Sequence, residues 1–349
     1  MQSNILSGMA ITAFRRQPPP LAARIFFGVM IDGLLRPMVR VLDKLGRAER
    51  VFAGMQKRQA KQRAEKNPFK GYVPTKHDVF AAVYIKSGTN WTMQIVHQLL
   101  NRGKAEYEHI HSVVPWPDTK LMGPMQRYAV PLEDESVWRA SPEQKRVIKT
   151  HFNWEDLPYS EDARYIVVIR DPKDVFVSSY FFFGNQFPLP SVDTWYKLFC
   201  SGSFMMFGSW AKSAAGYWAQ RHRPNVLLLS FKEMKRDLPG TVRKMAKFLD
   251  VQADEETIQR VCEKSSFDYM RRIDNKFEVW KMVPWRTPTK MMRKGVQGGS
   301  SELLTPERQR EMDLYFMAEL KRLGSDLPYE QFCDVTPSLD DRAQRAGAA

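Results

Sequence analysis

The sequence predicts an α/β fold, a single domain with a central parallel sheet flanked by helices and preceded by a basic helical extension. Three observations carry that expectation. Apolar, β-branched-rich runs recur between helix-like stretches, as in Tyr165-Ile166-Val167-Val168-Ile169, and runs without polar alternation belong to strands buried on both faces. At 43% hydrophobic and 26% charged residues over 349 positions, the chain can build a real core. The charge is unevenly placed: of a net +14, residues 1–76 carry +11, leaving a body near neutrality. A basic working face for nucleic acid is therefore not expected.

Taken in order, the chain divides at about residue 76. Pro18-Pro19-Pro20 reads as an extended spacer. From Leu21 to Met55, apolar residues such as Ile25, Phe26, Val29, Leu34, Val39 and Leu45 recur at helical spacing with arginines and lysines between them, and Pro37 is expected to start or break a helix. The basic run Lys57 to Lys66 leads to Asn67-Pro68 and Lys70-Gly71, a predicted linker. Two readings of this arm stand side by side: a basic amphipathic helix on an anionic membrane surface, spanning residues 21–66, or an arm packed on the body with its charges in water. A transit peptide is a third, weakened by few serines and no evident processing site.

The body, residues 77–330, opens with a buried strand from Val79 to Ile85. Arg146 to His151, Tyr165 to Ile169 and Val226 to Phe231 follow as strands. The last helix has Thr305 as cap, Pro306 as its first residue and Gly324 as its stop. Residues 331–349 form a tail. No run approaches the ~18 apolar residues of a membrane span, and Cys200, Cys262 and Cys333 stand too far apart for a disulfide framework or zinc knuckle, which fits reduced thiols in a cytoplasm-like compartment.

Two strand–loop–helix junctions have anion chemistry. In Lys86-Ser87-Gly88-Thr89-Asn90-Trp91, a cation, a glycine and small hydroxyl or amide residues precede a helix, which presents backbone N–H groups to a phosphate. This is not the Walker A pattern; an ordinary strand–helix turn is the alternative. In Arg170-Asp171-Pro172-Lys173-Asp174, helix capping explains Asp171, Pro172 and Asp174 but not an arginine at the carboxyl end of a central strand, where open α/β sheets place ligands. Between them, Lys149 and His151 lie two apart on a strand, so both can reach one cleft. Arg293-Lys294-Gly295-Val296-Gln297-Gly298-Gly299 reads either as an anion clamp or as a solvated loop.

Together and in this order, these segments resemble the cytosolic-type sulfotransferases, whose donor is 3′-phosphoadenosine 5′-phosphosulfate (PAPS). The resemblance covers about residues 77–330 and implies a P-loop-like α/β fold. It implies that Lys86 holds the bridging oxygen and 5′-phosphate within the loop Lys86, Ser87, Gly88, Thr89, Asn90 and Trp91, with Trp91 on the adenine. His151 corresponds to the catalytic base and Lys149 to the cation beside it. Arg170 and Ser178 match the 3′-phosphate binders, with Arg293, Lys294 and Gly295 closing on the same phosphate, and Ser265-Ser266-Phe267 matches the adenine-contacting stretch. Departures are Ile85 for a common Pro, Asn90 for Thr, Phe231 for a Tyr that contacts the nucleotide, and Gly298-Gly299-Ser300-Ser301 in place of an aspartate–tryptophan–lysine sequence. The short dimerisation motif of animal members is not recognisable, so no oligomeric state follows.

The implied reaction moves a sulfuryl group from PAPS to a hydroxyl or amine of a small acceptor, leaves 3′,5′-adenosine bisphosphate (PAP), and requires no metal. His109 to Pro117 and the aromatic group Tyr180 to Phe183 with Phe187 are candidate walls of an apolar acceptor pocket. The rivals are a P-loop-type small-molecule kinase, which would need a Walker loop, and a non-catalytic membrane-associated nucleotide-binding protein.

Overall fold

The computed structural model describes residues 19–122, 128–201, 208–279, 281, 283–295 and 298–337; Pro18, Val296, Gln297 and the tail from 338 on lie outside them. The arm is helical: α1 (Leu21–Val29), a π turn (Met30–Leu35), α2 (Arg36–Lys44) and α3 (Ala48–Glu65). The body follows as β1 (Asp78–Ala82), α4 (Thr89–Leu100), α5 (Ser136–Ala140), β2 (Arg146–Thr150), β3 (Arg164–Ile169) and α6 (Pro172–Gln186). Next come α7 (Val192–Phe199), α8 (Trp210–Trp218), β4 (Val226–Ser230), α9 (Phe231–Arg236), α10 (Leu238–Phe248), α11 (Glu255–Lys264) and α12 (Phe267–Arg272). The chain closes with α13 (Pro306–Arg322) and α14 (Tyr329–Phe332).

The four strands pair in the order β2-β1-β3-β4, all parallel. Successive strand residues enter opposite cores, as the two-residue period of a strand demands. Phe80, Ala82, Tyr165, Val167 and Ile169 face one core with α6, α7, α8 and α13. Val79, Ala81, Ile166 and Val168 face the other with α4, α9, α10 and α11. The α/β fold and all four strands expected from the sequence are present. Three end earlier than expected, β1 at Ala82, β2 at Thr150 and β4 at Ser230, although the Val83 N–H still reaches the Thr150 carbonyl at 3.2 Å.

Strand order sets the site. The path from β1 steps outward to β2 and then crosses back to β3 on the other side of β1, so the sheet reverses direction between β1 and β3. At such a reversal the connections leave in opposite directions, and the carboxyl ends of the strands open a crevice.

Two expectations about the arm are refined. Pro37 stands at the second position of α2, as a helix-starting proline does, yet the backbone stays helical from Leu21 to Lys44: the turn before the proline widens, with the Arg36 N–H bonded to the Ile31 carbonyl five residues back. Proline lacks the N–H for the regular ladder and crowds the preceding turn; a wide turn relieves both without breaking the helix. Asn67 to Gly71 is not a free linker: Asn67 donates to the Asp156 carbonyl at 2.7 Å, and Phe69 is buried against Phe80 and Phe152.

Candidate active site

One cavity, of about 880 Å³, lies at the carboxyl ends of the strands. It gathers Lys86, Gly88, Thr89, Asn90 and Trp91 after β1, Lys149 and His151 at the end of β2, and Arg170 and Ser178 after β3. Phe231, Ser265, Phe267, Arg293, Lys294 and Gly295 also line it. Of the catalytic and donor-binding residues expected from the sequence, Ser87 alone is not on the cavity wall; it is wholly buried within the loop.

The β1–α4 loop is shaped by two left-handed residues, Lys86 (φ 62°) and Gly88 (φ 103°). At Gly88 a Cβ would sit 2.9 Å from the Phe231 ring, so conformation and space both require glycine. Gly88 caps α4 without a side-chain bond, leaving the first-turn N–H groups to the cavity. Ser87 Oγ, Thr89 Oγ1, Arg170 Nε and Ser265 Oγ are buried without a hydrogen-bond partner. Buried polar atoms are normally paired. The unpaired donors of Thr89, Arg170 and Ser265, on the wall of one cavity beside a helix N-terminus, fit a phosphate-bearing ligand, whose oxygens accept hydrogen bonds.

The electrostatics agree. Burial, aided by the positive charges of Arg170 and Arg293, lowers the Lys86 ammonium to about 7. Burial also brings Lys149 to about 7; Asp118 opposes that shift and Lys86 adds to it. Cations held this close destabilise one another and favour an anion between them. Lys149 Nζ also sits 3.3 Å from the centre of the Trp116 ring and 3.5 Å from His111 Nε2.

His151 is oriented from two sides. Its backbone N–H donates to the Asp118 carboxylate at 2.8 Å, and its Nδ1 lies 2.7 Å from the Val83 carbonyl. A carbonyl only accepts, so Nδ1 carries the proton and Nε2 holds the lone pair. Burial, then the Lys149 charge, pushes the ring down to about 3, so it is neutral at physiological pH. No local pattern marks Asp118, a buried carboxyl on a short 3-10 turn whose link to His151 spans 33 residues.

The segment after β3 divides its work. Arg170 donates to the Lys86 carbonyl at 3.0 Å and pairs with Asp174 at 3.3 Å, its guanidinium 4.4 Å from the Phe231 ring centre. Asp171 caps α6 by accepting from the Lys173 N–H, while Lys173 bonds Asp313 of α13, which also accepts from Tyr329. Arg170 and Asp174 thus face the cavity, while Asp171 and Lys173 bolt α6 to the end of the chain.

Across the cavity, Trp91 donates to the Ser265 carbonyl at 2.8 Å and meets Phe231 edge-on, with ring centres 5.6 Å apart. Gly295 (φ 62°) lies so close over Phe267 that a Cβ would come within 2.2 Å of its ring. Arg293 and Lys294 both pair with Glu302, at 2.8 and 2.9 Å, while the Lys294 side chain stays half in solvent.

The expected apolar walls are corrected in part. Phe181, Phe182, Phe183 and Phe187 line the cavity, but of the stretch His109 to Pro117 only Trp116 does. His109 and His111 turn into the core, bonding the Glu278 and Val114 carbonyls. Phe27, Ile31 and Gln59 from the arm complete the wall, a contribution no local pattern announced. Among the described residues no cluster of three or more His, Cys, Asp or Glu side chains could hold a metal, and no helix is long and apolar enough to cross a membrane.

Residues 76–324 match the sulfotransferase domain family, over most of the chain. The chain belongs to the sulfotransferases. Sulfotransferase 2A1 of Homo sapiens is 29% identical over 270 residues, covering 75% of this chain and 89% of the relative. Human sulfotransferase 1C2 is 26% identical over 259 residues, covering 70% and 83%. The fold is similar to retinol dehydratase in complex with androsterone and the inactive cofactor PAP, with TM-score 0.61 and 23% identity over 73% of this chain and 83% of that one. Mouse sulfotransferase SULT7A1 complexed with PAP gives 0.54 and 20%, over 73% and 88%. The expected class, a PAPS-dependent sulfotransferase, stands on this membership and on a cavity whose donors fit a phosphate-bearing ligand.

Proposed function

We propose that this sulfotransferase transfers the sulfuryl group of PAPS to the hydroxyl of a small lipophilic acceptor, in the cytoplasm, with His151 as general base. The observation that carries the reading is the meeting of the Lys86 loop, the Lys149–His151 pair and Arg170 at the ends of three neighbouring strands around one cavity. Bound there, PAPS supplies the sulfuryl group and departs as PAP.

The α4 N-terminus with Ser87, Gly88, Thr89 and Asn90 would hold the 5′-phosphosulfate, and Arg170 and Ser178 the 3′-phosphate, closed over by Arg293, Lys294 and Gly295. Trp91, Phe231 and Phe267, with Ser265, would enclose the base; Phe231 contributes a ring face where a tyrosine hydroxyl is common in the family. His151 Nε2 takes the proton of the acceptor hydroxyl as that oxygen attacks, while the Val83 carbonyl keeps the proton on Nδ1. Lys86 and Lys149 stabilise the negative charge that develops, which is worth most in a site that excludes water. Phe181, Phe182, Phe187, Phe27 and Ile31 favour an apolar acceptor skeleton. Residues 77–330 would be the catalytic domain, with the arm supplying part of the acceptor wall and residues 331–349 a tail.

Calorimetric titration with PAP, AMP and Mg-ATP tests this. PAP is expected to bind without metal and far more tightly than AMP. Preference for Mg-ATP would replace the reading with a kinase.

A further inference from the structure

The arm's inner face is fully used. Gly28 packs so closely on Trp285 that a Cβ would come within 2.3 Å of its ring. Arg24 donates to the Lys281 carbonyl, Asp32 pairs with Arg286 and Arg36, and Asp43 accepts from Ser191 and Thr194. The outer face is different. Leu21 is 60% exposed, Phe26 65%, Leu34 54%, Val41 56% and Leu45 62%, and Ile25, Val29 and Met38 are exposed with them.

These side chains form an ordered row. Positions 21, 25 and 29 are four apart; the next step, to 34, is five and falls across the π turn; 38, 41 and 45 then resume steps of four, three and four. A five-residue step would rotate an apolar side chain off the face of a regular helix, whereas a π turn, bonding five residues back, keeps it in line. The only acids between residues 21 and 47 are Asp32 and Asp43, both engaged with the body. The exposed charges along the row are Arg40, Lys44 and Arg47, all cationic. A soluble surface rarely exposes so long an apolar row. An apolar row flanked only by cations matches an anionic lipid surface, where the acyl boundary takes the former and the headgroups the latter.

We propose that the helix from Leu21 to Leu45 docks this protein on an anionic bilayer. Phe27 and Ile31 of the same helix line the cavity, so docking sets the acceptor wall beside the lipid phase. This goes beyond the sulfuryl-transfer reading and does not depend on it.

The test sediments the full chain with phosphatidylcholine vesicles, with and without phosphatidylglycerol. Binding is expected on the anionic vesicles and should weaken with salt. The triple substitution Phe26→Glu, Leu34→Glu, Val41→Glu should reduce partitioning at least about tenfold. Arg40→Glu, Lys44→Glu, Arg47→Glu should reduce it about a hundredfold on anionic vesicles alone. Unchanged PAP affinity in both variants shows that the fold is intact. No binding by the full chain, or equal binding by both variants, overturns the proposal. So does binding that emerges only when residues 1–18 are deleted, which makes that segment the occupant. Loss of a dimer in the apolar variant, without any vesicle binding, makes the occupant a second copy.

Discussion

The two ends of the cavity are built on different plans. At one end, Lys86 to Trp91, Lys149 with His151, and Arg170 stand on the tips of three adjacent strands, each fixed by a short stretch of chain and by the sheet beneath it. The rest of the wall is gathered from far apart: Phe27 and Ile31 in the arm, Trp116 and Met122 before β2, and Phe181, Phe182, Phe183 and Phe187 on and after α6, with Trp116 and Phe182 meeting the strand-tip lysines. The first plan gives rigid placement of charge. The second allows the wall to change by substitutions in separate segments without disturbing the sheet. In the proposed reading, chemistry is anchored and selectivity is assembled.

The largest expected effect lies at the anchored end. His151→Ala should lower kcat by about 10²–10⁴-fold while leaving the Kd for PAP within about threefold. A small change in kcat would remove His151 as the base. Arg170→Ala should weaken PAP on the order of 10–100-fold in calorimetry, and AMP much less, because a buried charge-assisted bond to one phosphate is lost. Equal losses for both ligands would move the 3′-phosphate elsewhere.

Proton linkage sharpens the same contrast. Lys86 and Lys149 are held near 7 in the free protein, and a bound polyanion would raise both. A group whose pKa rises on binding takes up a proton, so PAP affinity should be greatest below pH 7. It should fall by up to about tenfold per pH unit per lysine as the pH climbs from 7 towards the raised values. Titration in buffers of different ionisation enthalpy measures that uptake; flat affinity without uptake would mean the two lysines do not face the ligand. The smallest effect belongs to the assembled end. Ile31→Ala should raise KM for a bulky lipophilic acceptor by about three- to tenfold and change kcat and PAP affinity little. Loss of PAP affinity would show that the arm supports the anchored end as well.

The same contrast explains what could be read from the sequence. The strands were legible because residues buried on both faces form unbroken apolar runs, as Tyr165 to Ile169 does. The Lys86 loop was legible because cation, glycine, hydroxyls and helix start are consecutive. Arg170 was legible because capping accounted for its neighbours and not for it. Phe27, Ile31 and Asp118 were not, since their positions follow from long-range packing: the arm is held by bonds such as Arg24 to the Lys281 carbonyl, 257 residues away. Arg293 and Lys294 could be seen as cations, but their shared partner Glu302 lies nine and eight residues on, at a distance no local pattern encodes. Pro37 was legible as a helix start, but the widened turn that joins α1 to α2 without a break was not.

Glu302 has a further consequence. In the proposed assignment Arg293 and Lys294 meet the 3′-phosphate, yet in the free protein both already share this one carboxylate, which offsets half of their charge. A phosphate arriving there exchanges one tethered anion for another and releases few mobile ions to the bulk. The ionic-strength dependence of donor binding should therefore be shallower than the number of cations around the cavity would suggest, and Glu302 should leave the clamp as the phosphate enters.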